Sequence, residues 1–461
     1  MVIWMATWWM TEAVDIEVTA LLPIALFPPL GIATIAKATA PYASDVIYLF
    51  MGGFILGLAI ERWGLDRRIA FYTLRLTGTR PGAMVAGFMI ASAFLSMWIS
   101  NTACAAMMVP IAVSVIDLVL RSRTGHGLRE SGGIPQERVA ERNFALGLLL
   151  AVAYSASIGG IATLIGTPPN GIAARFITQT YGTEISFLDW MAFGLPFTVV
   201  FLPLSWLILT KFLFPVSFGE VAGGREMIAA EYAKLGPLNR GEGVTLAVFG
   251  GAAFLWIFGG LLRDVSVGGF RPLAGLTDSG VAMLAALALF LLPVDSAKGV
   301  RAMDWETAVK MPWGVLILFG GGLSLAAAVE ANGVSAYIGH ATRGLAVLPP
   351  LALLLAVVTM TVFLSEVTSN TAQVATMTPV LAAMAPALGL DPKTLVIVCA
   401  IAASSAYMMP VGTPPNAIVF GTGLIRMPQM VRAGFVLNLA GILVITALGW
   451  WLIPHIVAGR T

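Results

Sequence analysis

The chain has 461 residues, of which 58% are hydrophobic and 11% charged, and its formal net charge is +2. A soluble domain carries roughly 25% charged residues, so this composition excludes a soluble globular protein and indicates an integral membrane protein in a lipid bilayer. The net charge is small and the basic residues are scattered along the chain, which excludes a nucleic-acid partner. Two cysteines in apolar stretches imply no disulfide framework.

The apolar stretches predict an all-α protein, since a helix that crosses a bilayer needs about 20 apolar residues. In chain order, the stretches with the length of one span are 16–34, 45–62, 144–166, 189–214, 242–262, 278–293, 313–331, 394–412 and 430–453. Two further stretches, 82–120 and 346–390, are about twice as long, and each has a Ser-Asn-Thr triplet near its middle. Short amphipathic helices are predicted before these two stretches, at 65–78 and 334–344.

The sequence contains an internal repeat. Residues 96–102 read SMWISNT and residues 365–371 read SEVTSNT, at an offset of 269 (365 − 96). Residues 166–170 and 412–416 both read GTPPN, at an offset of 246 (412 − 166). Paired polar motifs that break helices in an apolar chain predict a transporter with its binding site at a repeat interface. The second half has a complete span, 242–262, ahead of its matching region, so the repeat predicts an equivalent upstream helix that this chain lacks or begins inside.

Each of the two long stretches is either a pair of ordinary spans or one re-entrant hairpin. Five arginines within 62–80 and five within 121–142 flank the first stretch, which predicts that both of its ends are cytoplasmic. Two full spans would also return the chain to the same side, but a polar triplet without charged anchors fits a tip buried in protein better. The second stretch is flanked by Arg343 and Lys393 alone, so it should open to the outside. The two halves are then inverted in the membrane, and the C-terminus lies outside.

The Ser-Asn-Thr triplets place two hydroxyls and an amide at each hairpin tip. A helix that enters a tip leaves its last carbonyls unpaired, and the helix that leaves the tip has unpaired N–H groups. Carbonyls and side-chain oxygens suit Na⁺, while N–H groups, hydroxyls and the amide can hold a carboxylate at the positive end of a helix dipole. The alternative is that the triplets only cap helices. Their duplication, each with a serine four residues upstream, favours ligand binding.

The Gly-Thr-Pro-Pro-Asn motifs predict breaks in two helices, at 144–180 and 394–423. Proline removes a hydrogen-bond donor, and glycine lets the backbone approach a ligand. Unwound backbone inside a bilayer is tolerated only where it is buried or lines a cavity. A proline kink for packing is the alternative, and the duplication again favours function. We expect each hairpin tip to pack against the broken helix of its own half, which makes two cation sites with the anion between them.

Three carboxylates are weaker candidates. Glu366 lies beside the second triplet, where the first half has Met97. A carboxylate in a membrane segment is a functional hypothesis by default, and the alternative is a structural hydrogen bond. Glu61 and Glu330 are related by the repeat and lie at helix ends, where an interfacial role is favoured over ligand binding.

Taken together, these motifs resemble the divalent anion/sodium symporter family, which carries dicarboxylates, citrate or sulfate. The resemblance rests on WWMTEA at 8–13, TALLP at 19–23, both triplets, both GTPPN motifs and LFGGG at 318–322, and it covers nearly the whole chain. It implies an all-α inverted-repeat transporter with two re-entrant hairpins and two broken helices. It also implies a homodimer of scaffold and transport domains that works by an elevator motion.

The resemblance also implies which residues bind. The first Na⁺ site would use Ser96, Ser100, Asn101 and the backbone at Gly166, and the second Ser365, Ser369, Asn370 and the backbone at Gly412. Substrate carboxylates would meet Asn101, Thr102, Thr167, Asn370, Thr371, Thr413 and Pro414. The corresponding regions are first-half scaffold helices at 1–80, a first-half transport region at 81–214, a cytoplasmic linker at 215–241, second-half scaffold helices at 242–345 and a second-half transport region at 346–461.

The expected function is Na⁺-coupled symport of divalent anions, with C4-dicarboxylates such as succinate, malate or fumarate as substrates. Sulfate, citrate and tartrate stay open, because hydroxyls and N–H groups can hold any of these anions. An exchanger without net Na⁺ coupling is the nearest alternative, and the oxygen-rich triplets in both halves argue against it. Proton coupling is a further alternative, although the tips lack a histidine and a paired carboxylate. A membrane enzyme would need clustered nucleophiles, metal ligands or acid–base pairs, which the sequence does not show. A channel is the last alternative, and two inverted hairpins around one site favour alternating access over an open pore. Short loops and a compact size favour a bacterial inner membrane.

Overall fold

The protein is an all-α membrane protein, as the composition predicts. The structure is a computed structural model that describes residues 1–458 except 125, 127, 129–137, 217–218, 221–222, 267–269, 343, 345 and 346. Arg129 and Arg343, which entered the charge comparison of the two hairpins, therefore lie outside the described residues. Among the described residues, eight helical segments are long and apolar enough to cross a membrane. They are Ile35–Trp63, Asn101–Arg123, Val139–Ile161, Phe187–Leu213, Arg240–Arg263, Trp313–Ala331, Asn370–Leu388 and Met427–Ile456.

The helices follow one another in two sets that match the two halves of the sequence. The first set is α1 (Val2–Thr11), α2 (Ile16–Thr19), α3 (Leu22–Leu26), α4 (Ile35–Thr39), α5 (Asp45–Trp63), α6 (Leu65–Thr77), α7 (Pro81–Ser96), α8 (Asn101–Thr124), α9 (Val139–Ile161), α10 (Pro168–Tyr181) and α11 (Phe187–Leu207). The second set is α12 (Gly224–Lys234), α13 (Arg240–Arg263), α14 (Asp278–Leu291), α15 (Trp305–Ala308), α16 (Trp313–Ala331), α17 (Val334–Ala341), α18 (Pro350–Ser365), α19 (Asn370–Met384), α20 (Pro392–Ala403), α21 (Pro414–Gly421), α22 (Met427–Trp451) and α23 (Ile453–Ala458). A short antiparallel pair of strands, β1 (Pro293–Asp295) and β2 (Val300–Arg301), precedes α15, with Pro293 opposite Arg301.

The repeat seen in the sequence is also a repeat of structure. Helices α5 and α16 each have 19 residues, and α7 and α18 each have 16. The predicted amphipathic helices are α6 and α17, and each follows a glycine with a positive φ angle, 72° at Gly64 and 71° at Gly333. Glycine adopts this conformation without a steric cost, so both halves turn in the same way before their hairpins.

The two halves run in opposite directions. Arg62, at the end of α5, forms an ion pair with Asp304, which lies shortly before α16 begins. At the opposite end, Asn332 Nδ2, just after α16, donates to the Ile32 carbonyl (3.3 Å), shortly before α4 and α5. Helices α5 and α16 are therefore antiparallel, which confirms the inverted repeat. We call the end of the molecule that holds the end of α5 the Glu61 face, and the end that holds its beginning the Asp45 face.

Each hairpin opens to a different face. Ala103 and Ser114 of α8 line one cavity with Glu61 and Glu242, so the first hairpin opens to the Glu61 face. The second hairpin opens to the Asp45 face, where α17, which follows the end of α16, packs against α19. Helices α7 and α18 are each about 24 Å long at 1.5 Å per residue, which is less than the roughly 30 Å of a bilayer core. The first arm of each hairpin is thus shorter than a span.

Three predicted spans are wrong in length. In the stretch 16–34, two short helices, α2 and α3, are followed by a turn that ends at Gly31, whose φ is 68°. Pro28 and Pro29 supply no N–H groups to continue the helix, which a count of apolar residues does not register. The predicted span 278–293 is the 14-residue helix α14, and the predicted span 394–412 ends as a helix at Ala403.

Candidate substrate and cation site

The first hairpin tip, residues 97–100, joins α7 to α8. Ser96 Oγ, at the end of α7, donates to Asn101 Oδ1 at the start of α8 (2.5 Å). Ser100 Oγ accepts a hydrogen bond from the Ala103 N–H (3.2 Å) and so caps α8. Ser96 is buried, whereas Ser100 and Thr102 are exposed. The tip therefore presents hydroxyl and amide oxygens between a helix C-terminus and a helix N-terminus.

The second tip, residues 366–369, repeats this pattern. Ser365 Oγ lies within hydrogen-bond distance of Asn370 Oδ1 (2.8 Å) and of the Ala403 carbonyl at the end of α20, so these two acceptors share its one proton. Ser369 Oγ accepts from the Ala372 N–H (3.5 Å). Helix capping thus accounts for the second serine of each motif. It does not account for the bond between the first serine and the asparagine, which is made in both halves.

The two broken helices are interrupted just before the Gly-Thr-Pro-Pro-Asn motifs, and the Gly-Thr pair of each motif ends the break. Residues 162–167 separate α9 from α10, and residues 404–413 separate α20 from α21. Thr167 and Thr413 are the buried N-cap residues of α10 and α21, and Pro168 and Pro414 begin these helices. Proline is favoured in the first turn because its missing N–H would have no partner there.

The last residue of each motif bridges its own break. Asn170 Nδ2 donates to the carbonyls of Thr163 (2.7 Å) and Gly160 (3.1 Å). Asn416 Nδ2 donates to the carbonyls seven and ten residues before it, those of Met409 (3.0 Å) and Ala406 (3.3 Å). Both side chains are fully buried. We did not assign this role from the sequence, although the asparagine ends both motifs.

The first tip packs against the broken helix of its own half, as expected. Thr163 Oγ1 donates to the Met97 carbonyl (2.5 Å). A Cβ atom at Gly160 would lie only 2.4 Å from Asn101 Oδ1, and one at Gly166 only 2.4 Å from the Gly160 carbonyl. Glycine at position 160 therefore lets the end of α9 approach the tip amide, and glycine at position 166 lets the break fold back onto α9.

The second tip is joined to its break by a carboxylate. Glu366 accepts hydrogen bonds from the backbone N–H groups of Tyr407 (2.8 Å), Met408 (3.0 Å) and Met409 (2.8 Å). Asn438 Nδ2 of α22 donates to the same carboxylate (2.7 Å). Glu366 is only 3% exposed, so these donors replace its water. Of the two alternatives for Glu366, the structure supports hydrogen bonding that positions the break.

The two halves also interlock. Helix α9 packs against α7 and α8, and α20 packs against α18 and α19, within each half. Beyond the breaks, α10 packs against α19 of the other half, and α21 packs against α8. Each broken helix therefore contacts its own hairpin with its first part and the opposite hairpin with its second part.

The groups at these termini suit a cation and an anion together. Carbonyls at the ends of α7 and α9, with the hydroxyl and amide oxygens, are neutral oxygen ligands of the kind that binds Na⁺ at broken helices. The N-termini of α8, α10, α19 and α21 offer N–H groups and a positive dipole to an anion. Among the described residues, no group of three or more His, Cys, Asp and Glu side chains could hold a metal ion.

The chain matches known proteins over nearly its whole length. Residues 1–457 match the family model described as sodium:sulfate symporter transmembrane region. The chain is 39% identical over 455 residues to a protein of Staphylococcus saprophyticus subsp. saprophyticus named sodium-dependent dicarboxylate transporter SdcS. The matched region covers 98% of this chain and 85% of the relative. The chain is 38% identical over 453 residues to the protein of that name in Staphylococcus aureus, with the same coverage of both chains.

A solved structure shares the fold. The YdaH transporter of Alcanivorax borkumensis, described as having an unusual topology, aligns with a TM-score of 0.56 over 93% of this chain and 88% of its own. Its sequence is 18% identical to this chain, so the likeness concerns the fold alone.

Proposed function

Because the chain belongs to the sodium:sulfate symporter family, we propose that it is a Na⁺-coupled symporter of C4-dicarboxylates such as succinate, malate or fumarate. The main structural support is the hairpin tip that occurs in both halves. In each tip a serine is hydrogen-bonded to an asparagine beside a broken helix, Ser96 to Asn101 and Ser365 to Asn370. The names of the relatives, sodium-dependent dicarboxylate transporter, support both the cation and the class of anion.

The proposed first cation site consists of Ser96, Ser100, Asn101 and the backbone at Gly166. The equivalent second site consists of Ser365, Ser369, Asn370 and the backbone at Gly412. The anion lies between them, bound by Asn101, Thr102, Thr167, Asn370, Thr371, Thr413 and Pro414. In support, both tips present the same serine–asparagine bond, and Thr167 and Thr413 occupy equivalent N-cap positions.

In the proposed mechanism, cations bind first and order the two hairpin tips. Each cation draws tip hydroxyls and amide oxygens towards itself, which leaves the N–H groups of the following helix free for a carboxylate. Two bound cations offset the charge of a dianion, so neither motif needs an arginine. The coupling follows from this order, since the anion site is complete only when the cations are in place.

The transport step that we propose is an elevator motion in a homodimer. The transport domain comprises residues 81–214 and 346–461, and the scaffold comprises 1–80 and 242–345, with the linker 215–241 on the cytoplasmic side. The Glu61 face is then cytoplasmic, and the C-terminus lies outside in a bacterial inner membrane, in line with the basic residues on that face. Two hairpins that enter from opposite faces around one site favour alternating access over an open pore.

Uptake of radiolabelled succinate into proteoliposomes tests this function. We expect uptake with an inward Na⁺ gradient and none when K⁺ replaces Na⁺. Uptake that ignores Na⁺ but requires succinate inside the vesicles would establish the exchanger instead. Since the family model is named for sulfate, sulfate, citrate and tartrate are tested in parallel, and uptake of sulfate alone would overturn the dicarboxylate assignment.

A further inference from the structure

A cavity of about 990 Å³ opens on the Asp45 face, apart from the hairpin tips. Its walls come from the segment around α4, from the beginning of α5, from α10 and from the end of α16. Its charged lining residues are Lys37, Asp45 and Arg175, so two cations face one carboxylate. An anion that approaches this face therefore meets a surplus of positive charge.

Arg175 connects this cavity to the candidate anion site. It lies on α10, seven residues after Pro168, which corresponds to about 10 Å along the helix axis. The N-terminus of the same helix is part of the proposed anion site, and Gln179, one turn beyond Arg175, lines the same cavity. A single rigid helix thus carries a guanidinium in the cavity and N–H groups in the proposed site.

Arg175 forms a partly solvated ion pair with Asp45, and this interaction is weak. Arg175 Nη1 lies 2.9 Å from Asp45 Oδ1, but the Asp45 side chain is 64% exposed and that of Arg175 is 28% exposed. Arg175 Nε is buried and has no hydrogen-bond partner among the described residues. A guanidinium binds a carboxylate best through two parallel N–H bonds, and an ion pair with one solvated partner contributes little. A second carboxylate can therefore compete with Asp45 for this group.

The repeat does not provide this arginine twice. At the motif offset of 246, the residue equivalent to Arg175 is Gly421 (175 + 246). The cavity of about 940 Å³ on the Glu61 face has no surplus of positive charge, since four carboxyl groups line it with three cations. They are Glu61, Asp66, Glu231 and Glu242, with Arg62, Arg67 and Lys234. These two cavities are thus chemically different although the core is symmetric.

We propose that Arg175 forms a capture subsite for one carboxylate of the incoming dianion on the Asp45 face, where that carboxylate replaces Asp45. This subsite rests on the proposed function, and it predicts that the anion binds first on the Asp45 face. The dianion is held first on the Asp45 face by Arg175, with Gln179 beside it, and then passes along α10 to the N-terminus of that helix. The cavity of about 940 Å³ on the Glu61 face has no such surplus of positive charge, which favours release of the anion there.

The test compares the apparent KM for succinate on the two faces, with vesicles of both orientations and saturating Na⁺. We expect Arg175→Gln to raise the KM on the Asp45 face about tenfold, the effect of losing one charge-assisted hydrogen-bonded contact. The KM on the Glu61 face should change less than twofold. Arg175→Lys, which keeps the charge but loses the fork, should give an intermediate KM.

Asp45→Asn separates capture from a merely structural ion pair. If the substrate competes with Asp45, this variant should lower the KM on the Asp45 face two- to threefold, opposite in sign to Arg175→Gln. A structural pair would instead make both variants fail in the same way, and that result would overturn the proposal. Lys37→Gln is the control for long-range electrostatic attraction of the anion to this cavity. Its effect should be smaller than that of Arg175→Gln and should vanish at high ionic strength.

Failure of the subsite differs from failure of the proposed function. If the wild-type protein takes up none of the tested anions, the proposed function falls, and the subsite with it. If the wild type takes up succinate with Na⁺ and Arg175→Gln has the wild-type KM on both faces, only the subsite falls. Thermal melting of each purified variant separates misfolding from lost capture, and Asp45→Asn keeps the test valid if Arg175→Gln does not fold.

Discussion

Phe50 and Phe319 occupy equivalent positions in the two halves, and their ring centroids lie 4.8 Å apart. Residues related by a pseudo-two-fold axis touch each other only where that axis passes between them. The axis of the inverted repeat therefore passes between these two rings. Gly171 of α10 lies against both of them, because a Cβ atom there would be 2.3 Å from the Phe50 ring and 3.0 Å from the Phe319 ring.

This contact predicts that Gly171→Ala destabilises the protein. The added methyl group has no room beside two fully buried rings, and overpacking a core costs about 1–3 kcal/mol. We expect a lower midpoint of thermal unfolding and reduced Na⁺-driven uptake. Gly250→Ala is the control, since Gly250 lies within a helix and a Cβ atom there would meet nothing within 4 Å. An unchanged melting midpoint for Gly171→Ala would show that the two rings move apart easily.

The tip asparagines should be needed for transport more than for folding. Replacing Asn101 or Asn370 by alanine removes one hydrogen bond with a serine hydroxyl, worth about 1 kcal/mol. Each change also removes an amide shared by a proposed cation site and the proposed anion site. We expect Na⁺-driven succinate uptake to fall more than tenfold in each variant, with a small change in melting midpoint. Normal uptake in both variants would refute the site assignment.

The asparagines that bridge the helix breaks should behave in the opposite way. Asn170→Ala and Asn416→Ala each remove the donor to two buried carbonyls. An unsatisfied buried polar group costs about 1–3 kcal/mol. We therefore expect both variants to melt at lower temperature than Asn101→Ala in the same detergent. Equal melting midpoints for the two pairs would show that water replaces these side chains without loss.

Local signals in the sequence predicted the parts of the fold that depend on helix breakers. The hairpin tips and the amphipathic helices α6 and α17 lie where the Ser-Asn-Thr triplets and the glycines indicate, and the two breaks end at the Gly-Thr-Pro-Pro-Asn motifs. Apolar content alone failed for the stretch 16–34, because Pro28, Pro29 and Gly31 end the helix inside an apolar segment. Breakers therefore carry more information than hydropathy where the two disagree.

Contacts between residues far apart in the chain could not be predicted from the sequence. Glu366 contacts backbone groups 41 to 43 residues further along the chain and a side chain 72 residues away. No spacing rule connects those positions, so the sequence left open whether this carboxylate binds a ligand or holds the backbone. The crossing of α10 onto α19 and of α21 onto α8 was likewise unpredictable, because it depends on how the two halves dock.

Glu366 is the main difference between the two proposed cation sites. It is buried next to Gly412, where a Cβ atom would lie 3.1 Å from Glu366 Oε2, and its equivalent in the first half is Met97. The second site therefore has a carboxylate, with its negative charge, where the first site has the Met97 thioether, and we expect it to bind Na⁺ more tightly. Glu366→Gln removes this charge and turns an amide NH₂ towards backbone donors. We expect a lower melting midpoint and a several-fold higher Na⁺ concentration for half-maximal uptake.

A double-mutant cycle with Asn438 tests whether the two side chains act as one unit. Asn438→Ala removes a donor to the Glu366 carboxylate, so its effect should shrink once that carboxylate is gone. We expect the stability losses of Glu366→Gln and Asn438→Ala to be non-additive, with a coupling of about 0.5–3 kcal/mol. Met97→Leu is the matched control in the first half, since a swap of similar volume should cost less than about 1.5 kcal/mol and leave the Na⁺ dependence unchanged. Additive losses, or an equal shift in Na⁺ dependence for Met97→Leu, would mean that the charge of Glu366 does not distinguish the two sites.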